Sequence, residues 1–469
     1  MQFAICKECR MKIKYCGNTT NLRVHLTRYH LELAIATPEE RPKVVLPANQ
    51  RTLDQTKVIK LPQNSERAKK ITEAIAYFIP KDLQPYSVVE NEGFQNLLGI
   101  LEPRYVIPSR KYFTDTAIPK LYSEVKEEVN GTLSLAEGVA ITCDGWSSRA
   151  TESYMTITAH HITDEWQLLA HVLQTRAMHE SHTGANVAEV LKTATEEWGI
   201  SNKPIVLVTD NASNMVVAAQ VGGYLHVKCF AHTLNLASQR ALKLPAVARL
   251  LGRVRRITTF FHRSTIANSM LEQKQKLLDL PTHKLKTDVV TRWNSGYEML
   301  QRFLEQQPAI CAALLSSDVR RSGSDICTLN ENDITDAEDI MQALRPMFVA
   351  TKIVSEEKNP TLSIIAPVHA KLLNDTHQAM GDKPIVRDIK QAINQDLQKR
   401  YSTVEEKNTL HTASALDPRF KSLPFLTTDD ISATYSKLVV EAASLQVGFN
   451  ELLVYYLIII LKYHKGVYK

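Results

Sequence analysis

Two cysteines and two histidines within the first thirty residues constrain the fold more than any other feature. The chain reads Cys6-x2-Cys9, and after fifteen intervening residues His25-x4-His30. Zinc prefers four thiolate or imidazole ligands in a tetrahedron, and in small domains of this kind metal binding supplies much of the folding free energy. Four unrelated residues are the alternative, but the spacing favours a metal site. The sequence therefore predicts a zinc finger over residues 1–33 with these four side chains as the ligands.

The same segment carries a cluster of positive charge. A cap at Thr20 or Asn21 is expected to begin the helix that bears the histidines, after a turn at Gly17-Asn18. Four basic residues lie on or beside that helix: Lys12, Lys14, Arg23 and Arg28. A solvated surface is the alternative interpretation. Their clustering in a finger instead favours contacts with the phosphates of double-stranded DNA.

The net charge of the chain is unevenly distributed. The formal charge is +6, but residues 1–70 carry 14 Lys or Arg against 6 Asp or Glu, and the remaining 399 residues sum to −2. The N-terminal end is therefore where a polyanion is expected to bind.

Composition excludes several classes of protein. Hydrophobic residues make up 44% of the chain and charged residues 23%, as in ordinary globular proteins. The longest apolar run, Leu452 to Leu461, is half of the roughly 20 residues that a membrane-spanning helix needs. Seven scattered cysteines do not form a disulfide framework, and the first residues do not resemble a secretion signal. We therefore expect an intracellular protein with no membrane segment and no small-molecule substrate.

Periodicity divides the rest of the chain into four parts. A proline-rich linker is predicted at 34–65, and a helical domain at 66–132, with a helix from Phe94 to Leu101, a helix capped by Ser109 and a break at Pro119. An α/β region follows at 133–236, and residues 237–469 are mostly helical, with irregular breaks near 316–336 and 358–361. The elements expected in the α/β region are strands at Val139–Cys143, Tyr154–His161, Trp166–Leu173 and Pro204–Thr209, and a helix near 185–194. This order indicates a mixed sheet.

The finger resembles the BED-type zinc fingers of chromatin proteins and transposases. The resemblance rests on the cysteine pair, Gly17-Asn-Thr-Thr-Asn-Leu22 and His25-x4-His30. BED fingers usually carry an aromatic-rich segment before the first cysteine. Only Met1 to Ile5 precede Cys6, so the resemblance implies a ββα finger that is shortened at its N-terminal edge.

Residues 68 to 425 resemble the hAT family of DNA transposases and host proteins derived from them. Five motifs carry this resemblance: Cys143-Asp144-Gly-Trp146-Ser147-Ser148, Val208-Thr-Asp210-Asn-Ala-Ser-Asn214-Met, Cys229-Phe-Ala-His232, Asp288-Val-Val-Thr-Arg292-Trp293-Asn-Ser295 and Leu416-Asp-Pro-Arg-Phe420-Lys421. Each motif is weak alone, and their combination is specific. The resemblance implies an RNase H-like α/β domain interrupted by a large all-α insertion.

The resemblance also assigns roles to single residues. Asp144 and Asp210 correspond to two aspartates that, with a distant glutamate, hold two divalent ions in active family members. An aspartate after a strand is more often a turn or cap residue. No segment after Phe425 resembles the one that carries the family glutamate, and Glu441 and Glu451 are rejected as substitutes. We therefore expect vestigial aspartates and no enzyme activity.

Two further pairs come from the same motifs. Cys229 and His232 match a Cys-x2-His element near the active site, but two ligands cannot hold structural zinc, so no metal is assigned to them. Arg292 and Trp293 match a pair that contacts DNA in the family, where stacking or cation–π contact is reasonable. A core tryptophan is the alternative interpretation of Trp293.

The sequence as a whole thus predicts a zinc-dependent, DNA-binding, catalytically inactive protein of the nucleus, derived from a hAT transposase and acting in transcription or chromatin regulation. One alternative is a DDE-type transposase or nuclease that uses two divalent metals. Another is a zinc-stabilised adaptor for protein interactions. Homodimers, or complexes with related transposase-derived proteins, are the further partners that the resemblance implies.

Overall fold

The computed structural model describes residues 2–15, 19–35, 59–163, 165, 167–322, 328–355 and 362–447. The chain divides into two compact units, Met1–Glu124 and Val125–Lys469. Among the helices described, none has the length and apolar character needed to cross a bilayer. The apolar run Leu452 to Leu461, the turn at Gly17-Asn18 and the break near 358–361 lie outside the described residues.

The first unit begins with a ββα arrangement. Strands β1 (Gln2–Ile5) and β2 (Lys12–Tyr15) pair antiparallel and are followed by helices α1 (Thr20–Tyr29) and α2 (Leu31–Ile35). The expected cap at Thr20 or Asn21 is wrong, because Thr19 holds the N-cap position without a side-chain hydrogen bond. Asn21 instead donates from Nδ2 to the carbonyl of Lys14 at 3.0 Å, which ties α1 to β2.

The rest of the first unit is helical, as predicted. Helix α3 (Glu66–Lys81) is capped by Ser65, and helix α4 is Glu92–Leu101, two residues longer than predicted at its start. The rings of Phe78 and Phe94 stack with centroids 5.8 Å apart and join the two helices. Their small core also contains Ala68, Ile75, Ile79, Val88 and Phe113.

Pro119 does not end a helix. Ser109 caps a helical turn (Arg110–Tyr112) as predicted, a π-helical turn (Phe113–Ala117) follows, and α5 (Ile118–Leu135) continues from it. A proline ring clashes with the carbonyl one turn earlier and lacks an N–H. The wider π turn directly before Pro119 changes the hydrogen-bond register there, so the chain remains helical.

The second unit contains a five-stranded mixed sheet with the order β5-β4-β3-β6-β7. Its strands are β3 (Val139–Ser147), β4 (Ser153–Ile162), β5 (Leu168–Ala177), β6 (Ile205–Thr209) and β7 (Leu225–Lys228). β4 pairs antiparallel with both β3 and β5, β6 pairs parallel with β3, and β7 pairs parallel with β6. The four predicted strands are present with different ends: β3 and β5 extend four residues further than predicted, and Trp166, the predicted start of β5, lies outside the described residues. The fifth strand, β7, is absent from the prediction because a run of four residues is too short to identify by its pattern alone.

Both faces of the sheet are covered. Helices α6 (Gly184–Glu197) and α7 (Ser213–Gly222) pack on the face that carries Ile141 and Leu207. Helix α8 (Phe230–Leu242) packs on the face that carries Val206 and Val208. Successive strand residues point to opposite faces, so this pattern decides which core each strand residue enters.

The helices after α8 form one continuous core with it. They are α9 (Pro245–Arg263), α10 (Thr265–Leu277), α11 (Trp293–Leu314), α12 (Ser317–Ser322), α13 (Glu331–Val354), α14 (Ile365–Asp375), α15 (Pro384–Leu397), α16 (Val404–Leu416) and α17 (Thr428–Val447). The irregular break predicted near 316–336 is too wide, because α12 and the start of α13 lie inside it. Asn330 caps α13 through a capping box with Asp333.

Candidate functional site

The four predicted metal ligands converge in the finger. Cys6 and Cys9 lie on the turn between β1 and β2, His25 lies in α1, and His30 follows the last residue of α1. Their ligand atoms all lie within 4.8 Å of one another. Within the described ranges, no other set of three or more Cys, His, Asp or Glu side chains brings its ligand atoms together in this way.

The distances between the ligand atoms fit a tetrahedral metal. The Sγ of Cys6 lies 3.5 Å from Nε2 of His30, and the Sγ of Cys9 lies 3.3 Å from Nε2 of His25. A tetrahedral zinc with ordinary bonds to sulfur and nitrogen separates such atoms by about 3.6 Å. The donor set of two sulfurs and two imidazole nitrogens, and its spacing, therefore suit zinc.

The turn that carries the cysteines stabilises the thiolate form of Cys6. The Cys6 amide donates to the carbonyl of Met11 at 3.0 Å, and Arg10 adopts a left-handed backbone with φ of 59°. The backbone amide of Cys9, which hydrogen-bonds to the Cys6 sulfur, lowers the pKa of the Cys6 thiol. Metal ligation requires the thiolate, so this local arrangement favours the form of Cys6 that binds metal.

Helix α1 presents one exposed face with two of the predicted DNA-contacting residues. Arg23 and Arg28 line a shallow concave surface of this helix, together with Thr19, Thr20, Val24 and Thr27. The opposite face carries His25, which is only 6% exposed. Lys12 and Lys14 are also exposed, at alternate positions of β2, so their side chains leave the same side of that strand. On α1, the buried His25 and the surface that carries the two arginines thus lie on different faces.

The two predicted aspartates come close together on the sheet. Thr142 of β3 pairs in register with Val208 of β6, and Asp144 and Asp210 each follow by two residues. Both therefore lie toward the carboxyl ends of neighbouring parallel strands, on the face that packs against α8. Asp210 also accepts a hydrogen bond at Oδ1 from the amide of Ala212 at 3.0 Å.

Cys229 and His232 lie at the same edge of the sheet. Cys229 is the N-cap of α8, and its amide donates to the carbonyl of Thr209 at 2.8 Å. Burial raises the pKa of the Cys229 thiol to about 12, and Asp144 and Asp210 add to this increase. Burial lowers the pKa of His232, although Asp210 acts in the opposite direction. Burial therefore disfavours the thiolate form of Cys229, and the absence of a metal at this pair stays a prediction.

One carboxylate at this edge was missed from the sequence. Glu406 of α16 forms an ion pair with Lys228 at 2.7 Å and accepts hydrogen bonds from Thr403. Burial opposes its ionisation, yet the hydrogen bond from Lys228 helps to keep the Glu406 pKa below its usual value. Glu406 lies far from both aspartates in the sequence, so no local motif connects it with them. Its capping box with Thr403 indicates only the start of a helix.

The proposed DNA contact of Trp293 is wrong. Its side chain is only 1% exposed and packs in the helical core, with its ring centroid 6.2 Å from that of Tyr297. A ring without exposed surface cannot stack on a base, so the core interpretation is the one that the structure supports. Arg292 precedes it as the half-buried N-cap of α11, and its contact with DNA stays a prediction.

Comparison with known proteins finds two matching family models and several related proteins. Residues 142–233 match the family model described as the ZBED1 RNase-like domain, and residues 227–343 match the ZBED1 RNase-like helical domain. The human zinc finger BED domain-containing protein 4 is 30% identical over 96% of this chain. The mouse zinc finger BED domain-containing protein 6 and a putative AC transposase of maize are each 28% identical, over 70% and 72% of it.

These matches confirm the resemblance that the motifs indicated. The chain spans less than half of the length of these relatives, at 41%, 34% and 43%. The match to the human protein covers 96% of the chain and therefore extends well beyond the residues that the two family models match.

Proposed function

We propose that this chain, a relative of the zinc finger BED domain-containing proteins and of hAT-type transposases, is a zinc-dependent protein of the nucleus that binds double-stranded DNA and acts in transcription or chromatin regulation. The observation that carries the proposal is the finger itself. Four ligand atoms within 4.8 Å lie behind a helix whose opposite face is exposed and basic.

Zinc would supply the folding free energy that this small domain lacks. Cys6, Cys9, His25 and His30 would hold it, with the thiolates and the imidazoles on different elements of the ββα arrangement. Locking α1 against the hairpin would keep the positions of Arg23 and Arg28 fixed relative to Lys12 and Lys14. Such a rigid helix fits the major groove, where basic side chains reach phosphates and base edges.

The body of the chain serves in this proposal as a catalytically inactive scaffold with an RNase H-like fold. The strand order and the family-model matches support the fold. The expected loss of activity is supported by the contacts of Glu406, whose carboxylate is held by Lys228 and Thr403. Because the ammonium group of Lys228 already neutralises this carboxylate, Glu406 would offer little negative charge to divalent ions at Asp144 and Asp210.

A second candidate function is DDE-type transposition, with two divalent ions at the aspartates. It is favoured by the placement of Asp144 and Asp210 on neighbouring strands at one edge of the sheet. Such a reaction would use the ions to activate the attacking oxygen and to stabilise the leaving oxygen. We rank it below the DNA-binding role because the described residues bring no third carboxylate within ligand distance of the pair.

Selection of DNA from a random pool tests the main proposal. We expect the intact chain to enrich a defined duplex sequence and Cys6→Ser to enrich none, because loss of one ligand releases the recognition helix. Arg23→Ala should weaken binding by about 1–3 kcal/mol where the side chain reads a base. Equal enrichment by the intact chain and Cys6→Ser would contradict the proposal, and binding of only protein partners would favour an adaptor.

Incubation with supercoiled plasmid distinguishes the two candidate functions. We expect no nicking by the chain with Mg²⁺ or Mn²⁺, and we expect Asp144→Asn to bind DNA as tightly as the unchanged protein. Asp210→Asn is the matched control, because it removes the second carboxylate at the same edge of the sheet. Nicking that disappears in Asp210→Asn would establish the transposase-like reaction and overturn the inactive scaffold.

A further inference from the structure

Helix α9 carries an unusual distribution of charge. Its 19 residues include five arginines and no aspartate or glutamate. The buried residues of α9 recur at helical spacing and face the core that it shares with the neighbouring helices: Val247, Leu250, Leu251, Val254, Ile257, Thr258 and Phe261. This apolar face fixes the orientation of the helix, and therefore also the direction in which each arginine leaves it.

Two of the five arginines are neutralised by other elements. Arg253 pairs with Asp333 of α13 at 2.6 Å, and Arg255 pairs with Asp288 at 2.6 Å through two parallel hydrogen bonds. Both lie on the flanks of the helix, half-buried beside the apolar face. Their contacts are structural, since each ties α9 to another part of the helical core.

The other three arginines form a line on the outer face. Arg249, Arg256 and Arg263 are seven residues apart and exposed, and the described part of the chain provides no acidic partner for them. Seven residues turn a helix by nearly two full turns, with a drift of about 20°. The three side chains therefore leave α9 in almost the same direction, opposite the buried residues. We call this set the α9 arginine line.

The neighbours of the α9 arginine line are small. Ala246 and Ala248 are exposed, and a Cβ added at Gly252 would have no atom within 4 Å. Phe260 lies between Arg256 and Arg263, but it is half-buried and packs against the core, so the outer surface of the helix stays open to a long partner. None of the large apolar side chains of α9 is exposed, which argues against insertion into a membrane, since that uses an exposed apolar face.

We propose that the α9 arginine line is a second binding surface for DNA, which contacts the phosphate backbone without reading its sequence. The helix rise of 1.5 Å separates successive arginines by about 10.5 Å and the outer two by about 21 Å. One strand of duplex DNA carries a phosphate about every 3.4 Å along its axis, so the line spans about six phosphates. The guanidinium fork binds phosphate oxygens through two parallel hydrogen bonds, and the spacing of the three arginines favours a row of phosphates over a single small anion.

This surface deepens the proposed function, and it rests on the premise that the chain binds DNA. The finger would select the sequence, and the α9 arginine line would add affinity that depends on salt but not on sequence. The near-neutral charge of residues 71–469 conceals this surface, because the acidic residues that balance it lie elsewhere in the fold.

Four forms of the whole 469-residue chain test the inference separately from the finger: the unchanged chain, Cys9→Ser, the triple variant R249A/R256A/R263A, and both changes combined. Binding to a labelled 30-base-pair duplex of mixed sequence is measured by fluorescence anisotropy at several salt concentrations. Alanine keeps the helix stable, so the triple variant is expected to fold. Circular dichroism and the thermal midpoint verify this.

The triple variant is expected to reduce the slope of log K against log salt by about 2 to 3, since each phosphate contact contributes about 0.9. Affinity at low salt should fall by about tenfold or more. A matched control, K192A/K399A/K421A, removes the same charge from exposed positions elsewhere in the body and should leave the slope nearly unchanged.

The outcomes separate the two proposals. A reduced slope in the triple variant but not in the lysine control supports the α9 arginine line, whether or not Cys9→Ser changes binding. An unchanged slope in a folded triple variant, or equal losses in the two triple variants, overturns it. If only Cys9→Ser loses DNA affinity, the finger is the DNA-binding element and the second surface is rejected.

Discussion

Replacing Cys9 with serine is expected to unfold residues 2–35 and leave the second unit folded. The side chain of Cys9 lies 3.3 Å from Nε2 of His25, and both belong to the only four-residue ligand set in the described finger. Structural zinc sites supply about 10–16 kcal/mol of apparent binding free energy, far more than this short segment can gain from its core. Removal of zinc by a chelator should have the same effect.

Amide hydrogen exchange, followed by mass spectrometry on the full chain, measures this effect. Peptides from α1 should lose their protection in Cys9→Ser and after chelation, while peptides from β3 and β6 keep theirs. Bound zinc should fall from one ion per chain to none. Cys311→Ser is the control, because Cys311 lies in α11 and outside the ligand set. Protected α1 amides after the loss of zinc would show that the finger folds without metal.

Trp293→Ala is expected to destabilise the second unit by about 3–5 kcal/mol. Substitutions of buried aromatic side chains by alanine cost this much because they remove buried contacts and leave a cavity. Trp293 is 1% exposed, and its backbone amide donates to Oδ1 of Asn235 at 3.2 Å at the start of α11. The loss should therefore spread through the core that α8 shares with α11.

Urea unfolding, monitored by far-ultraviolet circular dichroism, provides the measurement. Trp146→Ala is the matched control. Trp146 is 43% exposed and stacks on Tyr154 with ring centroids 4.7 Å apart. Its removal should cost the stacking energy of about 0.5–1.5 kcal/mol, plus the free energy of the small apolar area that it buries. Trp293→Phe retains part of the core volume and should leave DNA affinity unchanged. A loss of DNA binding by a well-folded Trp293→Phe would restore the contact role that we reject.

Features that depend on short segments of the chain can be predicted from the sequence. The metal ligands are recognisable because zinc imposes residue types and spacing on a segment of thirty residues. The cap at Ser109 and the strand Ile205–Thr209 are equally local, and the structure confirms both. The N-cap of α1 was mispredicted by one or two positions because threonines and an asparagine occur in succession there.

The failures concern features that depend on distant parts of the chain. The burial of Trp293 follows from the helices that surround it. The Arg-Trp pair alone does not show whether the tryptophan lies in a core or on a surface. Glu406 reaches Lys228 across 178 residues. The strand β7 exists because β6 offers a parallel edge for it.

The sequence by itself thus determined the four candidate metal ligands, the alternation of strands and helices and the family of relatives, because each depends on short spacing or on motifs. Only the tertiary structure decided which charges are available. Arg253 and Arg255 look the same in sequence as Arg249 and Arg256, but the first two are paired with aspartates and the last two are exposed. The physical reason is that the direction of each side chain is set by the face of α9 that the core buries.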